Sequence, residues 1–255
     1  MKYINIITTV SLLAVFSLAS CGKMGKIEGN GHVITEPRQN VSFNEVINEG
    51  IFAVTVVPDT VYEITIEAES NLIPYVRTIV NGNTLVIDSR ENLDPMYTIK
   101  VTVRMPAVQS VRLSGSGSVT VNDMPESNLT AILSGSGTMN GTCNGVAFKA
   151  VLSGSGTIDF YVNTNRVETT LSGSGAIRLG GTTAYANHLI SGSGNIDSYS
   201  MFTNECDSRI SGSGNMYLWV SERLNATISG SGSVYYHGSP VVNTSITGSG
   251  TVNGN

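Results

Sequence analysis

Leu152-Ser153-Gly154-Ser155-Gly156-Thr157-Ile158 decides the reading of this chain, because its pattern recurs. Ser-Gly-Ser-Gly begins at Ser114, Ser134, Ser153, Ser172, Ser191, Ser211 and Ser229, and an eighth copy opens with Thr247. Successive starts lie 20, 19, 19, 19, 20, 18 and 18 residues apart. A nearly fixed period marks a repeat architecture whose units bury their apolar faces against one another. One residue before each copy stands Leu113, Leu133, Leu152, Leu171, Ile190, Ile210, Ile228 or Ile246. Five residues after the first Ser comes Val, Ile or Met, from Val119 to Val252. Counted from that Ser, the apolar positions are odd and the even ones mostly polar. Such alternation is the signature of strands with one buried face.

A run of 13 alternating residues is long for one strand, so each unit reads as strand, bend at the glycine pair, strand. Glycine suits the bend because it lets an opposing backbone approach closely. Matching positions from copy to copy predict a parallel solenoid, with coils roughly 4.8 Å apart and eight of them spanning about 38 Å. Leu133 should then sit between Leu113 and Leu152. A flexible Gly/Ser linker would not keep apolar residues in phase around every copy.

The amino terminus reads as a leader. Lys2 is followed by a largely apolar run over residues 4–18, too short for a permanent span. Leu18-Ala19-Ser20-Cys21 resembles the bacterial lipobox, which implies a signal peptide over residues 1–20 and lipidation (palmitate) of Cys21. Acyl chains contribute about 0.8 kcal/mol per buried CH₂, enough when multiple to hold the protein on a membrane. Residues 21–40 then form anchor and tether, 41–110 a less regular β region, and 111–255 the regular solenoid. The irregular region either starts the stack or caps it. Gly29-Asn30-Gly31-His32-Val33 reads as a degenerate first corner. Asn81-Gly82-Asn83 reads as a hairpin turn, and residues 71–76 as one short helical turn.

Without Lys2, 13 basic residues face 19 acidic ones, a net charge of −6. No basic run is present to neutralise phosphates, which excludes nucleic acid as a partner. Only 13% of residues are charged, so Ser, Thr, Asn and Gly must cover the surface, as suits an extracytoplasmic β protein. Cys206 falls on an inward position and Cys143 at a turn, too far apart along the stack to pair. Neither has the spacing of a zinc site, and the coils lack the aspartate of calcium-binding nonapeptide repeats. No metal or cofactor is expected.

Phe43-Asn44-Glu45-Val46, the alternating strands at 51–56 and 61–66, Asn81-Gly82-Asn83-Thr84-Leu85-Val86-Ile87, Val101-Thr102-Val103 before Met105-Pro106, and the Leu-Ser-Gly-Ser-Gly coils follow in a telling order. Together, over residues 41–252, they resemble the head GIN domain family of autotransporter-type adhesins, frequent among bacterial lipoproteins. The resemblance implies an all-β, right-handed parallel β-helix (β-solenoid), a hand that agrees with the general preference for right-handed crossovers. It implies no catalytic residues, and the chain carries no translocation barrel.

Two outward columns carry what chemistry there is. Six residues after the first Ser, Asp159, Arg178 and Asp197 follow on successive coils, then Tyr217 and Tyr235. The simplest reading of the first three is a surface ion-pair ladder. The alternative is a polysaccharide-cleaving β-helix with Asp159 and Asp197 as acid and base, roughly 9.6 Å apart. Eight residues after the Ser come Tyr161, Gly180, Tyr199, Trp219 and His237. Tyr161, Tyr199, Tyr217, Trp219, Tyr235 and His237 thus form an aromatic strip suited to stacking on sugar rings or peptide side chains. His188 points inward and reads as a core residue with one hydrogen bond. The repeated serines lack a base in reach and read as scaffold.

The sequence therefore predicts a lipid-anchored, non-enzymatic β-solenoid of the cell envelope, at the outer membrane, that presents a surface for adhesion to glycan or protein. The alternatives are the Asp159/Asp197 enzyme and a structural protein that self-associates as a homo-oligomer. Residues 22–26 carry no acidic stretch, which leaves surface and periplasmic placement equally open.

Overall fold

The computed structural model describes residues 25–38, 41–124 and 128–255; the leader and Cys21 lie outside them. The protein is a β-solenoid. Strands preceding the Ser-Gly-Ser-Gly corners stack in parallel, from Ser110–Leu113 through Leu129–Leu133 and Ala147–Gly154 to Val241–Gly248. Strands following the corners form a second parallel stack, from Ser118–Met124 through Thr138–Asn144 to Ser233–His237 and Thr251–Gly254. These stacks are called the leading and trailing faces below. Leu113, Leu133, Leu152 and Leu171 lie side by side in register, as the repeat predicts. Thr157–Gly173, Ala176–Ile190, Asn195–Gly212 and Asn215–Gly230, strands of 17, 15, 18 and 16 residues, each turn the bend opposite the corner unbroken and serve both faces.

The corner explains its own sequence. The carbonyl of Gly154 accepts the N–H of Ser174 at 3.1 Å and of Gly175 at 3.0 Å, and the pattern repeats from coil to coil. A Cβ on Gly173, whose φ is +146°, would stand 2.4 Å from that same carbonyl oxygen. A Cβ on Gly175 would meet the Gly156 carbonyl at 2.4 Å and Leu152 at 2.7 Å. Both glycines are thus demanded by the coil beneath them, whereas the intervening serines point to solvent. The leucines and isoleucines at odd offsets from the corner serine are buried from Leu113 to Ile228, so the hydrophobic term that holds each coil is the area it hides against its neighbours.

The amino-terminal region departs from chain order. The strands Glu45–Asn48 and Ala53–Pro58 lie directly beneath Ser110–Leu113 and Ser118–Met124. Beneath them in turn lie Thr84–Ser89 and Lys100–Met105, later in sequence but earlier in the stack. Lys100–Met105 therefore separates Ala53–Pro58 from Glu63–Glu69, which flank the Pro58-Asp59-Thr60 turn. Antiparallel strands close this pole: Val76–Asn81 on the leading face, Glu63–Glu69 and then Val33–Arg38 on the trailing one. The hairpin at Gly82 (φ +60°) and the short helical turn, Ile73–Tyr75, form as expected.

Two expectations are corrected. The degenerate corner is Glu49-Gly50-Ile51-Phe52, since Ser114 N–H bonds the Asn48 carbonyl and Gly117 N–H the Gly50 carbonyl. Asn48 replaces the usual leucine there, and its amide bridges the Phe52 carbonyl (2.8 Å) while its oxygen accepts Gly50 N–H (3.0 Å). Gly29-Asn30-Gly31 instead wraps the buried Glu69 carboxylate, which accepts Gly31 N–H at 2.7 Å and Met96 N–H at 2.9 Å. A Cβ on Gly29 would stand 2.0 Å from that carboxylate, so its glycine serves close approach, not a coil corner. Cys143 lies not at a turn but buried within Thr138–Asn144, where burial raises its thiol to about 11. Cys206, on the leading face, is also buried, and burial pushes its thiol higher still.

His188 sits in the core with its Nδ1 2.8 Å from Thr169 Oγ1, the single hydrogen bond expected of it. Burial lowers its pKa to about 4.

Candidate recognition face

The trailing face carries the aromatic residues because successive coils place the same offset side by side. Register joins Asp159, Arg178, Asp197, Tyr217, Tyr235 and Asn253 in one outward column. Tyr217 and Tyr235 stack with centroids 5.3 Å apart and planes 12° from parallel. Tyr199 meets Tyr217 edge-on at 5.4 Å and His237 at 4.3 Å, and its hydroxyl accepts the Asn255 side-chain amide at 3.3 Å. Burial among these rings, reinforced by Tyr217, raises the Tyr199 hydroxyl.

The second column does not run straight. The coil starting at Ser191 has 20 residues and the next has 18. The surplus is taken up where the register slips, between Ser198 and Phe202 and again between Thr203 and Glu205. Phe202 rather than Tyr199 then lies beside Trp219, edge-on at 4.6 Å, and 53% of it is exposed. Sequence counting missed Phe202 for this reason; the unequal coil lengths were the only signal. Five of the six expected aromatic residues gather on the last coils. Tyr161 stands apart, two coils earlier.

Tyr161, 55% exposed, borders a shallow depression of about 260 Å³ lined by Asp159, Arg178, Gly180, Asp197 and Ser200. Gly180 lies beneath the Tyr161 ring, where a Cβ would come within 3.2 Å, so the glycine leaves the floor of the notch open. The expected ion-pair ladder is absent here. No ion pair within 4 Å joins Arg178 to either aspartate, and Asp197 instead accepts the backbone N–H of Tyr199 at 3.2 Å, inside the register slip. Asp159 and Asp197 are both exposed on the open face and stand two coils apart.

The leading face is polar, and the sequence reading passed over it. A groove of about 410 Å³ runs along it past Lys149, Glu168, Asn187, Asp207, Arg209 and Asn225. Asn243 donates to Asn225 (3.0 Å), Asn225 to Asp207 (2.7 Å), and the Tyr185 hydroxyl to the other Asp207 oxygen at 2.5 Å. The Tyr185 bond holds Asp207 below the usual carboxylate range, and the same bond raises Tyr185 to about 12. The Arg166 guanidinium covers the Tyr185 ring at 4.8 Å. Among the described residues no group of three or more His, Cys, Asp and Glu could hold a metal ion, and no helix is long and apolar enough to cross a membrane.

A parallel β-solenoid capped at one pole by antiparallel strands, with an aromatic trailing face, defines the class of protein. A family model described as "Putative auto-transporter adhesin, head GIN domain" matches residues 42–240, and the chain belongs to that family. The fold is similar to a crystal structure described as a "putative lipid binding protein" from Parabacteroides distasonis, 24% identical, covering 91% of this chain and all of that one, with a TM-score of 0.83. A "putative adhesin" from the same organism is 20% identical over 91% of this chain and all of its own, with a TM-score of 0.82. Another from Parabacteroides merdae is 21% identical over 90% of this chain and 99% of its own, with a TM-score of 0.78. No curated protein matches the chain.

Proposed function

We propose that the protein is a non-enzymatic adhesion module of the cell envelope, held at the outer membrane through lipid on Cys21, whose trailing face binds glycan rings. The observation that carries this reading is the aromatic cluster of Tyr199, Tyr217, Tyr235 and His237 with Phe202 and Trp219 beside it, all from outward positions of adjacent coils. Ring faces of this kind stack on the apolar faces of sugars at little entropic cost, because their neighbours already hold them in place. Family membership supports adhesion as the class of activity. Placement supports it too. The tether strand Ile27–Glu28 pairs with Leu93–Asp94 at the capped pole. The aromatic coils lie five to seven ladder steps beyond Ala53–Pro58, about 24–34 Å further out.

Glycan arrays probed with the protein, and then with Tyr199→Ala, Trp219→Ala and Tyr235→Ala, test the proposal. Binding that each substitution weakens is expected. Binding unchanged by all three, or none to any glycan, refutes the aromatic face as the site.

A further inference from the structure

The two poles of the solenoid are finished differently. At the amino-terminal pole the outermost trailing strand, Val33–Arg38, carries Glu36, Pro37 and Arg38, features that discourage further strand pairing. At the other pole Val241–Gly248 pairs only with residues 223–230, and Thr251–Gly254 only with Ser233–His237. Among the described residues nothing continues either ladder. In this fold the even positions direct their N–H back to the preceding coil, as Ser134 does to Leu113 (2.9 Å) and Ser191 to Leu171 (2.8 Å). The odd positions direct theirs forward. On the last coil Val242, Thr244, Ile246 and Val252 therefore aim backbone N–H and C=O groups outward, where none of the described strands pairs with them.

The core is cut open at the same place. Ile246 is 43% exposed, whereas its equivalent one coil back, Ile228, is 1% exposed. Thr244 is exposed where Ala226 is buried, and Val252 is partly exposed where Val234 is buried. No Asp, Glu, Lys or Arg occurs after Arg223, so this edge has neither the charge nor any in-strand proline that guards the opposite pole.

We infer that the open carboxy-terminal coil is an interface for a second copy of this chain, docked end to end about a two-fold axis with the two Val241–Gly248 edges antiparallel. Four observations favour that occupant. The edge carries no charged side chain, so two copies meet without repulsion between side-chain charges. A two-fold arrangement pairs like strands antiparallel, using the backbone groups that each leaves unpaired. Head-to-tail stacking would instead set Val241–Gly248 against Val76–Asn81 and the trailing edge, Thr251–Gly254, against Glu36, Pro37 and Arg38. An eight-residue strand about 27 Å long, with the sheets about 10 Å apart and side chains beyond, offers roughly 500 Å² per copy. That makes about 1,000 Å² in all, the lower bound for a specific interface. The inference does not rest on glycan binding.

The test is the protein mass of the full chain in dilute detergent micelles by analytical ultracentrifugation, with hydrogen exchange at residues 241–254. Two chains per particle are expected at concentrations up to about 100 µM, above the micromolar affinities that small interfaces reach. Protection of the forward amides should rise with concentration. Thr244→Pro removes a forward N–H without breaking any bond inside the chain and should yield one chain per particle with unchanged circular dichroism. Thr244→Lys, which places a charge at the cut core, should do the same. One chain per particle throughout, or a two-chain particle that survives both substitutions, overturns the inference. So does a monomer whose forward amides are protected at every concentration, because another segment or molecule then covers the edge.

Discussion

Gly173→Ala is the sharpest perturbation of the corner. The new methyl would lie 2.4 Å from the Gly154 carbonyl oxygen, where ordinary contact begins near 3.4 Å. Either that carbonyl retreats by about 1 Å or the coil above lifts away. The same oxygen accepts from Ser174 and Gly175, so its retreat weakens two backbone bonds worth about 1 kcal/mol each and leaves a poorly satisfied acceptor costing about 1–3 kcal/mol. The φ of +146° adds about 1–2 kcal/mol of backbone strain for alanine. A total of up to about 4–7 kcal/mol follows, a large share of the 5–15 typical of a whole domain. Urea unfolding followed by circular dichroism measures it. Two comparisons isolate the cause. Ser174→Ala, on an outward side chain, should change stability by no more than about 0.5 kcal/mol. Gly82→Ala has nothing within 4 Å of its Cβ and keeps only the strain of φ +60°, about 1–2 kcal/mol. If Gly173→Ala costs no more than Gly82→Ala, the carbonyl clash is not what selects glycine at the corner.

Further outcomes follow from the same geometry. His188 is buried neutral with a pKa near 4 against 6.5 when unfolded, so below pH 6.5 the unfolded chain binds a proton that the folded chain refuses. Stability should be full above pH 6.5 and fall by about 3 kcal/mol as the pH drops to 4; an imidazole NMR signal titrating near 6.5 in the folded protein would contradict this. Tyr185 should ionise near pH 12 by its 295 nm absorbance, and Asp207→Asn should bring that midpoint down by replacing a charged acceptor with a neutral one. Trp219 is the only tryptophan, so its emission reports on the trailing face alone. Phe202→Ala should shift it to longer wavelength by uncovering the indole, and an unchanged spectrum would refute the edge-on contact. Polysaccharide turnover, if any is found, should survive Asp159→Asn and Asp197→Asn; its loss would favour the enzyme reading.

The regular coils were legible because each one repeats the same demand on the next: Leu152 and Gly156 look alike to the chain above and the chain below. A strand of this kind advertises its neighbour. The amino-terminal pole was not legible for the opposite reason. Nothing in Lys100–Met105 distinguishes lying under Ala53–Pro58 from lying above it, since both partners present the same Val-x-Val alternation. Gly29-Asn30-Gly31 looked like a corner because close approach selects glycine whatever approaches, a carbonyl or the Glu69 carboxylate. The aromatic residues were legible as a set. Their partners were not, because the 20- and 18-residue intervals fix how many residues must bulge without saying where. The polar ladder of Asn243, Asn225 and Asp207 was overlooked because its members look like ordinary solubilising residues until register lines them up.

The unequal finish of the two poles also sets a direction for disassembly. A coil in the middle of the pile is gripped above and below, and the first coils are clamped by strands running crosswise in chain order. Among the described residues the final turn is held within the chain from one side and has no crosswise strand over it. Heat or denaturant should therefore peel the molecule like a zipper with a single stop, from Asn255 backwards, and rewinding should start from the stopped end.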